Sequence, residues 1–316
     1  MRIGCQVVGR CGPSQGFALL IVLWILTLLS VMAASFSFSM RTESILTTNL
    51  VDRARAEALV TAGIHRGILE LYRSEQESQW RHDGTVYSIP FGKHQIHVSI
   101  LSENGKIDLN AAPEALIQGL FSSLGTEVDG QRLADAILDW RDRDHDRRLH
   151  GAEDLQYASA GRPYGARDAP YLTVEELDQV LGLTAELVRQ VKPAVTVFSG
   201  QSKIDPNTAP RQALLAIPDM DPDQVDQFIA TRAHLDPSEL ESAVNLLLAG
   251  NEQYLSPSKG NVYTIRAEVG LPNGVRVRRA AVIKLMQGAR RPYSVLAWFD
   301  DNARNPSSTH ELPDEG

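Results

Sequence analysis

The residues with the clearest capacity for chemistry lie in one polar stretch, DWRDRDHDRRLHGAED, residues 139–154. Asp142, Asp144 and Asp146 alternate there, and Glu153 is the twelfth position counted from Asp142. Alternating carboxylates closed by a glutamate at that distance are the ligand pattern of an EF-hand type of calcium loop. The glycine such a loop needs at its sixth position is Arg147 here, so the loop is not a regular EF-hand. Hard oxygen donors without cysteine favour calcium over zinc. Asp139 and Asp154 flank the run, either as added ligands or as part of a second ion's shell. The competing reading is a solvated charged loop in which Arg141, Arg143, Arg147 and Arg148 neutralise the acids.

No other constellation competes. His94 and His97 sit at an odd separation in a strand-like segment, which sends them to opposite faces and makes them ordinary surface histidines. The chain has no Walker loop, H-E-x-x-H or C-x-x-C, and no spacing singles out two carboxylates as an acid/base couple. The expectation is a binding and assembly module with no catalytic residues.

The acidic stretch lies between two copies of an internal repeat. KIDLNAAPEALI (106–117) recurs as KIDPNTAPRQALL (203–215), offset by 97 residues. Each copy reads as an extended entry leading into a helix, with Pro113 and Pro210 in the first turn and polar residues before them as caps. A second short helical pattern follows each, at Gln131–Trp140 and Asp223–Arg232. Such pairs resemble helix-hairpin-helix or SAM-like units, which often hold nucleic-acid phosphate on glycine-rich hairpins. The second hairpin reads IPDMDPDQ, with three aspartates and no glycine. That charge repels phosphate, so protein contacts are the expected use and nucleic acid is not an expected partner. Thr173 and Glu176 form a capping box before an expected amphipathic helix, Thr184 opens another, and residues 194–198 read as a strand.

The helical block needs a frame. Residues 85–103 alternate as two strands, and 261–270, 275–286 and 293–301 read as three more, with a Pro-Asn-Gly turn at 272–274. Together they make one antiparallel sheet, interrupted by the helical block. Before them, Phe17–Tyr72 contains no proline and reads as a helix ~80 Å long at about 1.5 Å per residue; a hinge near Met40–Glu43 is the alternative. Ala54, Ala58, Ala62 and Gly63 are the small residues that would let the sheet approach this helix. The fold class is therefore α+β: a long N-terminal helix packed on an antiparallel sheet, with a large all-α insertion. The expected domains are 41–103 with 256–301 for the α/β body and 104–255 for the insertion. A Pro-, Ser- and acid-rich tail at 302–316 is expected to be disordered.

The start of the helix carries its own signal. No Asp, Glu, Lys or Arg occurs between Arg10 and Arg41, a span long enough to cross a bilayer. Arg2 and Arg10 place the short N-terminal side in the cytoplasm. The run is too long for an ordinary secretory h-region; a plain signal anchor is the simpler alternative. Gly16 directly before Phe17, then an all-round apolar helix, resembles a type IV prepilin leader. That resemblance implies cleavage after Gly16 by a prepilin peptidase, methylation of Phe17, and residues 17–40 as the transmembrane half of the helix. The family's acidic fifth mature residue is Ile21 here, which suits a subunit at a filament tip. Both cysteines, Cys5 and Cys11, lie in the expected leader of residues 1–16. The formal charge is −8, and loss of Arg2 and Arg10 with the leader lowers it to −10.

Taken together, the GFALLIVLWILTLLSVMAA start, the DW-x-D-x-D…GAED stretch, LTVEELDQVLGLT and the KIDPNTAP repeat resemble the minor pseudopilin K family of type II secretion. The resemblance implies a pilin-like body with a calcium-binding helical insertion, held in the inner membrane with its body in the periplasm. It implies minor pseudopilins I and J and other pseudopilins as partners at a pseudopilus tip that supports protein export across the outer membrane. The alternatives are a minor subunit of a type IV pilus or DNA-uptake machine, or a signal-anchored nucleic-acid-binding protein.

Overall fold

The computed structural model describes residues 15–73, 80–125, 129–235, 237–286, 288 and 290–300. Most of the expected leader and all of the expected tail lie outside the described residues. The chain divides into two compact units, Met1–Ala56 and Glu57–Gly316. Helix α1, Gln15–Leu71, is one element of 57 residues that contributes to both; it runs through Met40–Glu43, where a hinge was the alternative.

In the first unit the α1 side chains from Phe17 to Val51 are exposed. The helix is long and apolar enough to cross a membrane, with a mean hydropathy of 2.7 in its most apolar window. Two hydroxyls in its most apolar part bond within the helix. Thr27 Oγ1 donates to the Trp24 carbonyl and Ser30 Oγ to that of Leu26, each at 2.8 Å. In hydrocarbon, where no water competes, that satisfaction is obligatory.

In the second unit, the end of α1 packs on a five-stranded antiparallel sheet. Its strands are β1 (Asp83–Phe91), β2 (His94–Ser102), β5 (Val262–Gly270), β6 (Arg276–Leu285) and β7 (Tyr293–Asp300), in the order β1-β2-β5-β6-β7. Ile96, Val98 and Ile100 of β2 alternate into the core, as their period of two requires. The helix comes close because Gly63 and Gly67 face them: a Cβ on Gly63 would lie 2.7 Å from Ile96, and one on Gly67 2.7 Å from Ile265. The buried face is Val60, Gly63, Ile64, Gly67, Ile68 and Leu71, whereas Ala54 and Ala58 are exposed. Of the small residues expected to meet the sheet, Gly63 does and Ala62 is half-buried, while the expectation for Ala54 and Ala58 is corrected. A strict spacing of four drifts around a helix of 3.6 residues per turn, and the mixed spacing of three and four stays on one side.

Between β2 and β5 lies the helical insertion: α2 (Glu114–Ser122), α3 (Gly130–Arg141), α4 (Asp154–Ser159), α5 (Ala185–Val191), α6 (Arg211–Leu215), α7 (Pro222–Arg232) and α8 (Pro237–Leu248). Two short strands, β3 (Ile107–Asp108) and β4 (Val195–Thr196), pair in parallel within it. The segment after Thr173 carries the expected capping box but winds as a single 3₁₀ stretch, Val174–Gln179, rather than an amphipathic α-helix. Six residues are too few to establish the longer helical period.

A buried knot ties the insertion to the sheet. Glu103 accepts from Lys106 Nζ and from Thr264 Oγ1, both at 2.6 Å, and also from the Thr196 hydroxyl. Burial pushes the Glu103 carboxyl up, but Lys106 and the two hydroxyls outweigh it and hold the group below its usual range. A carboxylate this deep is tolerable because its oxygens are satisfied.

The two repeat copies fold alike. Asp108 Oδ1 accepts the Asn110 N–H at 2.8 Å, and Asp205 Oδ1 accepts that of Asn207 at 3.1 Å. Pro113 and Pro210 are each the residue before the helix, extended at φ −68° and −69°, with no side-chain cap. The aspartates therefore shape the entry turn, and the expected capping by the polar residues next to proline is corrected. Proline's fixed φ suits the extended cap position, and its carbonyl still accepts the first helical bonds.

Candidate metal centre

Helix α3 carries the acidic cluster at its C-terminal end. Asp129 caps its start by accepting the Arg132 N–H at 3.0 Å. Leu133, Ala134, Ile137, Leu138 and Trp140 bury its inner side. That packing fixes Asp139, fully buried on the last turn, and Asp142, the extended residue that ends the helix. Tyr157, Tyr164 and Tyr171 surround the Trp140 ring at centroid distances of 5.7, 6.4 and 6.5 Å, giving the cluster an aromatic floor.

The chain then turns back. Arg148 Nη1 donates to Asp139 Oδ1 at 2.7 Å and also bonds Asp142 Oδ2, while the Arg148 backbone N–H lies 3.3 Å from Asp139 Oδ2. Gly151 passes so close that a Cβ there would lie 1.9 Å from Asp139 Oδ2. Two residues on, Glu153 precedes α4, its N–H donating to Gln156 Oε1 at 3.0 Å.

A third segment completes the cluster. Asp168 adopts a positive φ of 54°. Its neighbourhood is held by Arg167, bonded to Glu176, and by Asn110, which pairs with the Tyr171 backbone at 2.7 and 3.0 Å. His145, Glu153 and Asp168 each offer a donor atom, and these atoms lie within 4.8 Å of one another. His145 Nδ1 is 3.3 Å from Asp168 Oδ2.

The electrostatics are those of a site short of positive charge. Glu153 is only 6% exposed, yet neither of its carboxylate oxygens makes a full hydrogen bond among the described residues, one only facing the Gln156 N–H at the start of α4. Asp142 Oδ1 and Asp168 Oδ1 also lack a partner there. Burial, then the charges of Asp139, Asp168 and Asp142, push the Glu153 carboxyl up to about 7. Burial also raises Asp139, against the pull of Arg148. The Arg148 guanidinium is raised in turn by Asp142 and Asp139, although burial opposes its charge. Buried carboxylate oxygens without donors are costly unless a cation meets them, so these residues fit a hard divalent ion.

Of the ligands expected from sequence, the structure brings Asp139, Asp142 and Glu153 to this cluster. Asp144 and Asp146 are on the exposed face of the loop, where Asp144 Oδ1 accepts the Asp146 N–H at 3.0 Å. Asp154 is exposed and faces Gly165, whose added Cβ would lie 1.7 Å from Asp154 Oδ1. Phe17 is 68% exposed on α1, and Gly16 lies within the same helix. His145 and Asp168 were not among the expected ligands. No spacing rule links Asp168 to the acidic stretch, because it arrives from a separate Gly/Pro-rich loop.

Comparison with known proteins agrees with this body. Residues 96–200, which contain every member of the cluster, match the family described as type II secretion system (T2SS), protein K. A type II secretion system protein K from Klebsiella pneumoniae is 27% identical over 227 residues, 64% of this chain and 69% of that protein. One from Aeromonas hydrophila is 26% identical over 239 residues, 66% of this chain and 71% of that protein. A chain in the crystal structure of the GspK-GspI-GspJ complex from the enterotoxigenic Escherichia coli type 2 secretion system has a TM-score of 0.56. The likeness covers 84% of this chain and 99% of that one at 20% identity, and it is a likeness of fold.

Proposed function

We propose, from its likeness to the type II secretion system protein K family, that the chain is a member of that family and works as a minor pseudopilin. Its apolar helix anchors it in the inner membrane with the body in the periplasm, and a prepilin peptidase cuts after Gly16 and methylates Phe17. It then caps the pseudopilus tip with minor pseudopilins I and J, above the other pseudopilins, and supports protein export across the outer membrane. It acts by position and contact rather than by catalysis. Ile21 in place of an acidic residue suits a first subunit, since no neighbour above it needs that carboxylate.

Within the insertion, Asp142, Glu153 and Asp168 hold a calcium ion through their unpartnered oxygens, with Asp139 kept in place by Arg148. When bound, the ion supplies the positive charge that the buried carboxylates lack and links three chain segments, the end of α3, the turn before α4 and the 160–172 loop. The protein's own part is to hold those segments in register through the Trp140 floor and the Asn110–Tyr171 pair.

The observation that carries the reading is the family match over residues 96–200, a span that includes the buried Glu153, whose oxygens make no full hydrogen bond among the described residues. Its test is the intact mass of the protein extracted from its native membrane. A chain that begins at Phe17 with one added methyl is the expected result. An uncut chain, or one cut near Ala33–Ser35, overturns the pseudopilin reading.

A further inference from the structure

The cluster includes a donor that a pure oxygen site does not need. His145 presents Nδ1 to the same space as Glu153 and Asp168, with all three donor atoms within 4.8 Å of one another. Donors sharing one ion through bonds of about 2.0–2.5 Å lie no more than about 4–5 Å apart. Their spacing therefore suits a single shared ion. An imidazole nitrogen beside two carboxylates is the donor set of borderline ions such as zinc, while calcium gains little from nitrogen. A second, independent observation points to a ligand here. Glu153 is 6% exposed and neither of its oxygens makes a full hydrogen bond among the described residues.

We propose that His145 lets this centre take a borderline divalent transition ion, Zn²⁺ in the first instance, at the carboxylates that otherwise hold calcium. The inference rests on the reading of the cluster as a cation site and adds a second class of ion to it. His145 stands on the solvent side, its side chain 74% exposed against 25% for Asp168. It closes over the ion from the loop, while Glu153 and Asp168 hold it from within. A site with a nitrogen donor on its outer wall discriminates ions by that residue, and the buried carboxylates set affinity for all of them.

The experiment uses the full chain in detergent micelles, stripped of metal and titrated separately with Zn²⁺ and Ca²⁺ by calorimetry. Metal content is measured after dialysis. Zn²⁺ should bind and be displaced by excess Ca²⁺. His145→Gln should weaken Zn²⁺ by about tenfold or more, since loss even of an outer-shell partner costs about 10–100-fold, while changing Ca²⁺ less than about twofold, because calcium gains little from nitrogen. Glu153→Gln should weaken both ions. Co²⁺ in the wild-type chain should show visible absorption that His145→Gln alters. Ca²⁺ binding without Zn²⁺ binding, or Zn²⁺ binding indifferent to His145→Gln, overturns this proposal and leaves the calcium reading standing. Binding of neither ion overturns both. Because His145 is exposed, its replacement leaves the fold intact, and the Glu153 variant separates binding at this site from binding by surface histidines such as His94.

Discussion

The two copies of the repeat share a skeleton and differ in what is attached to its end. In the first, Arg141 closes α3 and donates to the carbonyls of Leu109 and Ala112 at 2.5 and 3.0 Å. In the second, Arg232 closes α7 and donates to those of Pro206 and Ala209 at 3.0 and 2.8 Å. These are the same two positions of the motif, 97 residues apart. Beyond that point the copies part. After Arg141 the chain runs into the carboxylates and Arg148. After Arg232 its end is docked instead, as Arg81 Nη1 donates to the Ala233 carbonyl at 2.6 Å and Nη2 reaches that of Arg232. One copy leads into the candidate cation site, and the other fastens the insertion to the entry of β1. A scaffold stabilised by its own internal bonds leaves the outgoing loop free to take on either role.

The comparison is broken most severely where the copies touch. A Cβ on Gly119 of α2 would lie 2.0 Å from the Ala216 carbonyl oxygen just after α6, and backbone cannot yield as a side-chain tip does. Gly119→Ala should cost about 3 kcal/mol, with loss of ion binding as a consequence of lost structure. Chemical denaturation of the chain in micelles measures it. Next come the paired arginines. Arg232 is 7% exposed and Arg141 only half-buried, so Arg232→Met should cost about 2–3 kcal/mol and Arg141→Met about 1–2, each leaving two carbonyls without donors. Equal costs would mean that the greater burial of Arg232 adds nothing.

The repeat itself was legible, because Lys, Ile, Asp, Asn, Ala and Pro recur in register. The arginine clamp was not. Arg141 and Arg232 are 91 residues apart, since the span from the first helix to the arginine is six residues shorter in the second copy, chiefly because α6 is shorter than α2, and a fixed offset misses them. The strands and their turns were read correctly within two residues, as period-two patterns and a Pro-Asn-Gly turn are local signals. Part of the candidate site was readable for the same reason: Asp139, Asp142 and Glu153 lie in one acidic run. Asp168 was not, because its place depends on the Asn110–Tyr171 and Arg167–Glu176 contacts, which join positions far apart in the chain. The same acidic run also drew in Asp144 and Asp146, whose alternation puts them on the exposed loop rather than beside Glu153.

A sharper contrast comes from the ion. Calcium at about 100 times its dissociation constant should add about 2.7 kcal/mol of stability through binding to the folded chain alone. Gly151→Ala should remove that increment, since the added methyl displaces Asp139. The Arg232→Met variant, altered in the other copy, should keep it. If both variants respond to calcium alike, the site does not belong to the first copy.

The smallest effect expected is the pH dependence of the metal-free chain. Glu153 is raised from 4.5 to about 7 by burial and by Asp139, Asp168 and Asp142, so the folded state holds its proton more tightly than the unfolded chain. A group of this sign contributes stability that is fully present below about pH 4.5 and lost as pH rises through about 7. Glu153→Gln, which stays neutral, should therefore flatten that part of the profile and leave the metal-free chain more stable than wild type at pH 8. Calcium should reverse the trend in the wild type, because the ion replaces the proton, so its affinity should rise between pH 5 and 8 with protons released on binding. Denaturation midpoints at pH 5 and 8, with and without calcium, measure all four states. A wild-type profile that matches that of Glu153→Gln in the absence of metal would remove Glu153 as the titrating group and, with it, the electrostatic difference between the two copies.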